Sequence, residues 1–329
     1  LEDRKFYYAP NDRLSPWKTI GSKKGLLIEK NSSFVGDLTP ILQLAGNRSI
    51  KLVQEGLGIH KGMYYSGRIV LKSQGISKVN VTLSWGKDHS QSSTFTIENI
   101  SEKYTTFPIS FKSEAYSKNA SLTIEPLGIG KLWVGTVSLM PDNNVDGFRK
   151  DVLALMKELN SPIYRWPGGN FVSGYDWKDG IGDPDKRPPR KNPAWTGVEH
   201  NDVGIHEFMR FCELLETEAY IAVNAGLGGA EEARKQVEYC NGNSKTKMGQ
   251  WRSENGQTES WGVKWWSVGN EMYGGWQLGH MSTEAFVNKH NAFAEAMRSV
   301  DSEIILVGVG ELGPWDEMIL ANCSDNMDY

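Results

Sequence analysis

The sequence predicts two architectures in tandem: an antiparallel, jelly-roll-like β-sandwich over residues 1–141, and an α/β array of the (β/α)8 TIM-barrel type over residues 142–329. Three observations carry this reading. The hydrophobic period changes near residue 142 from about two residues to about 3.6, which is the change from strand to helix spacing. Before that point, glycine and polar turns separate short alternating segments at the roughly 8–15-residue intervals of a sandwich. After it, strands and helices alternate in units of about 40–60 residues, as in a parallel sheet with helical crossovers.

Taken in order, the sandwich strands are expected at Ile50–Gln54, Tyr64–Leu71, Lys78–Trp85, Ser93–Ile97, Tyr104–Phe111, Ser121–Glu125 and Lys131–Leu139. The second part opens with a helix over Val145–Leu159, whose Val152, Leu155, Met156 and Leu159 form an apolar stripe. Strands then follow at Pro162–Trp166, Ala219–Asn224, Gly262–Gly269 and Ile304–Gly308, with helices at Val203–Leu215, Glu231–Cys240 and Thr283–Val300 between them. Ser282 can cap the last of these helices, and Phe286, His290, Phe293, Met297 and Val300 share one face, so His290 reads as a packed residue. A polar or glycine-rich cluster follows each strand: Gly168-Gly169-Asn170, Asn224-Ala225-Gly226, Asn270-Glu271 and Gly310-Glu311. Four such clusters suit the common mouth of a barrel better than the single crevice of a doubly wound sheet.

Composition narrows the function. The net charge is −4, and the densest basic run is Lys186-Arg187-Pro188-Pro189-Arg190-Lys191, so no basic surface suited to nucleic acid is expected. No unbroken apolar run is long enough to cross a bilayer, and Leu1-Glu2-Asp3-Arg4-Lys5 has no signal-like apolar core. Three scattered cysteines, Cys212, Cys240 and Cys323, make neither a disulfide framework nor a zinc site and read as buried thiols; no cofactor or metal is expected. No glycine pattern cradles a phosphate at a helix start, which counts against a dinucleotide enzyme. Twelve tryptophans instead suit a carbohydrate site, where flat apolar rings stack on sugar C–H faces. Asn-x-Ser/Thr acceptors at Asn31, Asn47, Asn80, Asn99, Asn119 and Asn322 fit a secreted or periplasmic location, and equally fit a compositional bias.

The chemistry concentrates in Trp265-Trp266-Ser267-Val268-Gly269-Asn270-Glu271, a strand that ends in an amide and a carboxylate. A Glu pressed among aromatic rings is expected to be desolvated, which suits a general acid, and Asn270 is placed to bind a sugar hydroxyl beside the reacting carbon. The alternative is a strand-end Glu paired to an arginine. Asn170, after the Gly168-Gly169 turn, is expected to point into the mouth, and the long connection Tyr175–Trp195 is expected to wall it.

The segments RWPGGNFVSGYDW, KRPPRKNPAW, Val198 to Phe208, YIAVN and WWSVGNEMYGGWQLGH resemble the α-L-arabinofuranosidases of glycoside hydrolase family 51, some members of which carry a sandwich inserted between the first two barrel strands. The resemblance implies a retaining glycosidase acting on arabinose-containing hemicellulose or arabinan side chains. It implies Glu271 as acid/base and Asn270 and Asn170 as sugar ligands; Trp177 and Asn224 are further candidate substrate-binding residues. It also places the first barrel strand before Leu1, and three strands and the nucleophilic Glu after Tyr329, so the chain is expected to be a piece of a longer protein that forms strands two to five and, at Met327-Asp328-Tyr329, the start of the sixth. Glu311, Asp202 and Asp176 are the neighbours that could stand in for the nucleophile, although the family has no catalytic residue at the position of Glu311. Two other readings stay open: the same fold acting on β-xylosides or β-glucans, and a non-catalytic carbohydrate-binding protein. A homo-oligomer is possible in each case; membrane and nucleic-acid partners are not expected.

Overall fold

The computed structural model describes residues 1–46 and 49–329; the acceptor Asn47 lies outside the described residues. The chain forms two compact units. One comprises Leu1–Ala154 with Asp183–Arg190 and Val198–Asn201, and the other comprises Leu155–Gly182, Lys191–Gly197 and Asp202–Tyr329. Two stretches of the connection expected to wall the mouth or follow it therefore fold with the sandwich, which a reading by contiguous segments does not reveal.

The first unit contains β1 (Trp17–Gly21), β2 (Leu26–Glu29), β3 (Thr39–Leu44), β4 (Ile50–Ile59), β5 (Tyr64–Trp85), β6 (Gln91–Glu98), β7 (Thr105–Lys112) and β8 (Ser117–Pro141). Strands β5 and β8 are each read from sequence as two segments, but each is continuous and serves both layers. The first half of β8 pairs with β4 and with the second half of β5, which carries β6. The second half of β8 pairs with β3 and with the first half of β5, which carries β7. Register shifts mark the bend at Gln74–Lys78. There Gly75 and Gly130 both have positive φ, and a Cβ on Gly130 would lie 2.2 Å from the Gln74 carbonyl, so only glycine lets the two backbones pass this closely. Alternate residues of the two halves, among them Leu52, Ile69, Leu71, Val81, Leu122, Ile124 and Leu132, are buried in one core.

Strands β1 to β3 escape the sequence reading: they are short, β1 and β2 lie at sheet edges, and β3 carries Pro40. A buried carboxylate joins Asp183–Arg190 to this unit. Asp185 accepts from Arg4 Nη1 at 2.7 Å and from Arg68 Nη2 at 2.9 Å. Burial alone would raise its pKa; the two guanidiniums outweigh that and hold it below the ordinary aspartate value.

The second unit contains β9 (Ile163–Trp166), α2 (Gly169–Val172), α3 (Ile205–Leu215), β12 (Glu218–Val223), α4 (Ala230–Asn241), α5 (Lys247–Glu254), β13 (Trp265–Val268), α6 (Thr283–Arg298), β14 (Ile305–Val307) and α7 (Pro314–Cys323). Helix α1 (Lys150–Leu159) precedes it, and the two-residue strands β10 (Arg190–Lys191) and β11 (Val198–Glu199) lie in the connection after α2. The sheet is parallel in the order β14-β13-β12-β9, so successive strands are neighbours and the order never reverses. That progression lacks the reversal of strand order that marks a doubly wound sheet. Asp328 N–H and Tyr329 N–H donate to Leu306 O, so the last residues run beside β14. All four strands place their carboxyl ends on one side, over a core that includes Ile221, Val223, Trp266, Val268, Phe286, Phe293 and Leu306.

Helix α1 is shorter than the expected Val145–Leu159, and its stripe is not buried: Val152, Leu155 and Leu159 are 40, 64 and 67% exposed, and only Leu153 is buried. Periodicity fixes which residues share a face but not what covers it.

Two outcomes follow for stability. Asp185→Asn leaves Arg4 buried beside a neutral amide and is expected to lower unfolding free energy in urea by about 2–3 kcal/mol, below the full value of a buried pair because the Arg68 arm is partly exposed. His290 is fully buried, and burial together with the Arg298 charge depresses its pKa below 6.5. The unfolded chain then binds the extra proton first, so stability is complete above pH about 6.5 and falls as the pH drops below it toward the folded pKa. His290→Phe is expected to flatten that acid limb in unfolding measured from pH 7 to pH 5.

Candidate active site

The carboxyl ends of β9, β12 and β13 are bound to one another by their loops. Ser173, at the end of α2, is the common point: its backbone carbonyl accepts from Leu227 N–H at 3.0 Å and its hydroxyl from Gln277 Nε2 at 2.6 Å. The loops approach so closely that a Cβ on Gly279, which has φ 70°, would lie 2.6 Å from the Gly226 backbone. Lys289 of α6 donates to the Gly226 carbonyl at 2.7 Å and supports this contact from behind.

Asn170 closes the arrangement. Its amide nitrogen donates to Trp276 O at 2.7 Å and its oxygen accepts from Leu278 N–H at 2.8 Å, so it clamps the backbone just after Glu271. An amide has two donors and two lone pairs, which leaves one of each for a ligand. Asn270 is buried; its oxygen accepts from Arg165 Nη2 at 2.7 Å and its nitrogen donates to Gln277 Oε1 at 3.3 Å. This chain of bonds from Arg165 to Ser173 fixes the rotamer of the amide beside the carboxylate.

Glu271 follows β13 with φ 44°, a left-handed conformation that a side-chain-bearing residue adopts at a cost in energy and that recurs at functional sites. The expected desolvation among rings is not found. Glu271 is exposed, because the chain turns out of the sheet at Gly269 and carries the carboxylate away from Trp265 and Trp266. One indole does reach it: Trp276 Nε1 donates to Glu271 Oε2 at 3.0 Å. Tyr273 lies in the field of both Glu271 and Glu311, and its pKa is raised, first by burial and then by those two negative charges. Trp276, Tyr273 and Arg165 are the neighbours sequence reasoning did not single out, although Trp276 and Tyr273 stand within five residues of Glu271.

Two candidates are engaged in packing and turn contacts. Trp177 is only 4% exposed, with its ring packed against Tyr239 and Trp251. Asn224 donates to Tyr175 O at 3.1 Å and accepts from Leu227 N–H and Gly228 N–H, so its side chain holds the turn after β12. Both line a separate cavity of about 320 Å³ with Lys178 and Gln236. The alternative nucleophile Asp176 caps a short 3-10 turn through Lys178 N–H.

A parallel strand array thus carries an amide and a carboxylate at one strand end, braced from both neighbouring loops. The chain belongs to the family described as Alpha-L-arabinofuranosidase 1 domain, whose sequence model matches residues 155–328. It is 44% identical over 185 residues to a probable alpha-L-arabinofuranosidase C of Aspergillus terreus, covering 56% of this chain and 37% of that protein. It is 40% identical over 196 residues to an intracellular exo-alpha-(1->5)-L-arabinofuranosidase 1 of Bacillus subtilis, covering 57% and 39%. Thus the chain spans less than two-fifths of the length of these relatives. Among solved structures, an arabinose complex of the α-L-arabinofuranosidase from Thermotoga maritima superposes with a TM-score of 0.54 at 43% identity, over 55% of this chain and 38% of that one. An arabinose-bound family 51 arabinofuranosidase superposes over 95% of this chain and 56% of its own, with a TM-score of 0.80 at 18% identity, and so shares the fold of both units.

Asn170→Ala is expected to release the Glu271–Leu278 segment: exchange of the Leu278 amide with D2O should rise about tenfold or more, with little change at the core strands β12 and β13.

Proposed function

We infer that this chain is the acid/base-bearing part of a retaining α-L-arabinofuranosidase that releases terminal arabinofuranosyl units from hemicellulose or arabinan side chains. The observation that supports it most is the strand-end pair itself: an accessible Glu271 in a strained conformation, beside an Asn270 whose amide is fixed by Arg165 and Gln277. In this reading Glu271 protonates the departing glycosidic oxygen and later takes a proton from the water that attacks the glycosyl-enzyme. Asn270 holds the hydroxyl next to the reacting carbon, where its bond strengthens as positive charge develops. Asn170 holds the loop and offers its remaining donor to the sugar.

A second carboxylate about 5–5.5 Å from Glu271 is required for retention. We assign it to a part of the full protein outside this chain, which would also close the four-stranded array into a complete barrel. Residues 1–141 supply an appended sandwich of the kind found in carbohydrate-binding modules. Among the described residues no helix is long and apolar enough to cross a membrane. The acceptor asparagines fit a secreted or periplasmic enzyme and equally a compositional bias, whereas the name of the Bacillus subtilis relative describes an intracellular one.

In the complete enzyme, Glu271→Ala is expected to slow hydrolysis of poor leaving groups by about 10²–10⁴-fold and of activated aryl arabinofuranosides much less, with a lowered KM for the latter as intermediate accumulates. Azide should restore turnover and yield a glycosyl azide of retained configuration. Equal loss on both substrate types without azide rescue would refute the assignment.

A further inference from the structure

The first unit carries a cleft of about 760 Å³ at the end of the sandwich where β8 runs into α1. Its size falls within the range of small-ligand sites. The lining divides by chemistry. Met63, Tyr65, Met140, Pro141 and Ala154 present apolar surface, while His60, Asn143, Arg149, Lys150 and Asp151 stand around it with polar groups. Tyr116, 57% exposed, packs edge-on against His60 with ring centroids 5.4 Å apart and extends the wall with an accessible aromatic ring. The Tyr65 hydroxyl accepts from His60 N–H at 2.9 Å, which leaves its own proton to donate.

Charge decides what kind of ligand this suits. Arg149 donates to Asp151 through Nε at 3.1 Å and Nη2 at 2.5 Å, so these two opposite charges neutralise each other and Lys150 is the one remaining full charge on the lining. An anion finds no cluster of cations here, and a purely apolar ligand would strand the Arg149–Asp151 pair and Asn143. A neutral polyol with one apolar face uses both parts: C–H groups on the Met140–Pro141 surface or the Tyr116 ring, and vicinal hydroxyls on the guanidinium–carboxylate pair, whose remaining N–H groups and carboxylate lone pairs are adjacent donors and acceptors. Asn144 holds the turn before α1, donating to Pro141 O and accepting from Gly147 N–H.

We propose that this cleft is a binding site for a short stretch of neutral polysaccharide, distinct from the site at Glu271. The choice of arabinoxylan as its ligand rests on the function inferred above. The site would hold the enzyme on its polymer while side chains are removed elsewhere.

The test is affinity electrophoresis of the 329-residue chain in gels with and without arabinoxylan, with polygalacturonate as an anionic control. Arabinoxylan should retard the chain, and should retard Glu271→Ala and Asn270→Ala equally. Tyr116→Ala and Arg149→Ala, both at exposed positions and checked for an unchanged melting temperature, should each weaken binding about tenfold, the loss expected of one aromatic or one bidentate contact. The proposal is overturned if arabinoxylan does not retard the chain, if polygalacturonate does so instead, or if retardation is lost with Asn270→Ala but survives Tyr116→Ala and Arg149→Ala. Failure of the catalytic reading would appear separately, as an inactive complete enzyme whose isolated 329-residue chain is still retarded.

Discussion

The geometry at Glu271 depends on one constraint, the mutual bracing of three loops at the carboxyl ends of β9, β12 and β13. None of these loops is held by its own strand alone. Asn170 belongs to the first and clamps the third; Gly226 of the second admits Gly279 of the third because neither carries a Cβ; Ser173 binds both. A carboxylate used for proton transfer must be placed to within a fraction of an ångström, and such placement comes from neighbours that are themselves fixed. The arrangement also explains why the positive φ of Glu271 can persist: the residues after it are tied at Trp276 and Leu278, and relaxing the backbone would break those bonds.

The accessible position of Glu271 follows from what surrounds it. Among the described residues the carboxylate has a single indole donor and no enclosing apolar wall. Tyr273 stands beside it, its pKa raised first by burial and then by the charges of Glu271 and Glu311.

Much of this was legible in the residues. The four strands of the α/β sheet and helices α3, α4 and α6 lie where the pattern puts them, within a few residues, whereas α2, α5 and α7 were not singled out and α1 starts later than expected. Helix α6 is the clearest case, with Ser282 accepting from Ala285 N–H as its cap. What escaped was decided by tertiary contacts. Edge strands β1 and β2 have too little periodicity to stand out, and β3 hides behind Pro40. Trp177 stood among the substrate-binding candidates since exposed and buried tryptophans are identical in sequence; only the packing of Tyr239 and Trp251 separates them. The turn held by Asn224 was not visible for a related reason, since an amide after a strand serves a turn as well as it serves a ligand. Desolvation of Glu271 was inferred from sequence neighbours that the turn at Gly269 takes away from it.

The shared strands of the sandwich carry a consequence for how this unit forms. Strands β5 and β8 join along nearly their whole length, from the Tyr65–Pro141 pair to the Ser84–Ser121 pair, so the two make one long antiparallel ribbon folded over on itself. Each layer contains half of the same two strands. Completing either layer therefore waits on closing contacts between strand partners as much as 92 positions apart in the chain, as in the Ile41–Trp133 pair. During synthesis, β1 to β7 emerge before β8 exists to receive them, and remain without their central partner until the chain has been made past Pro141.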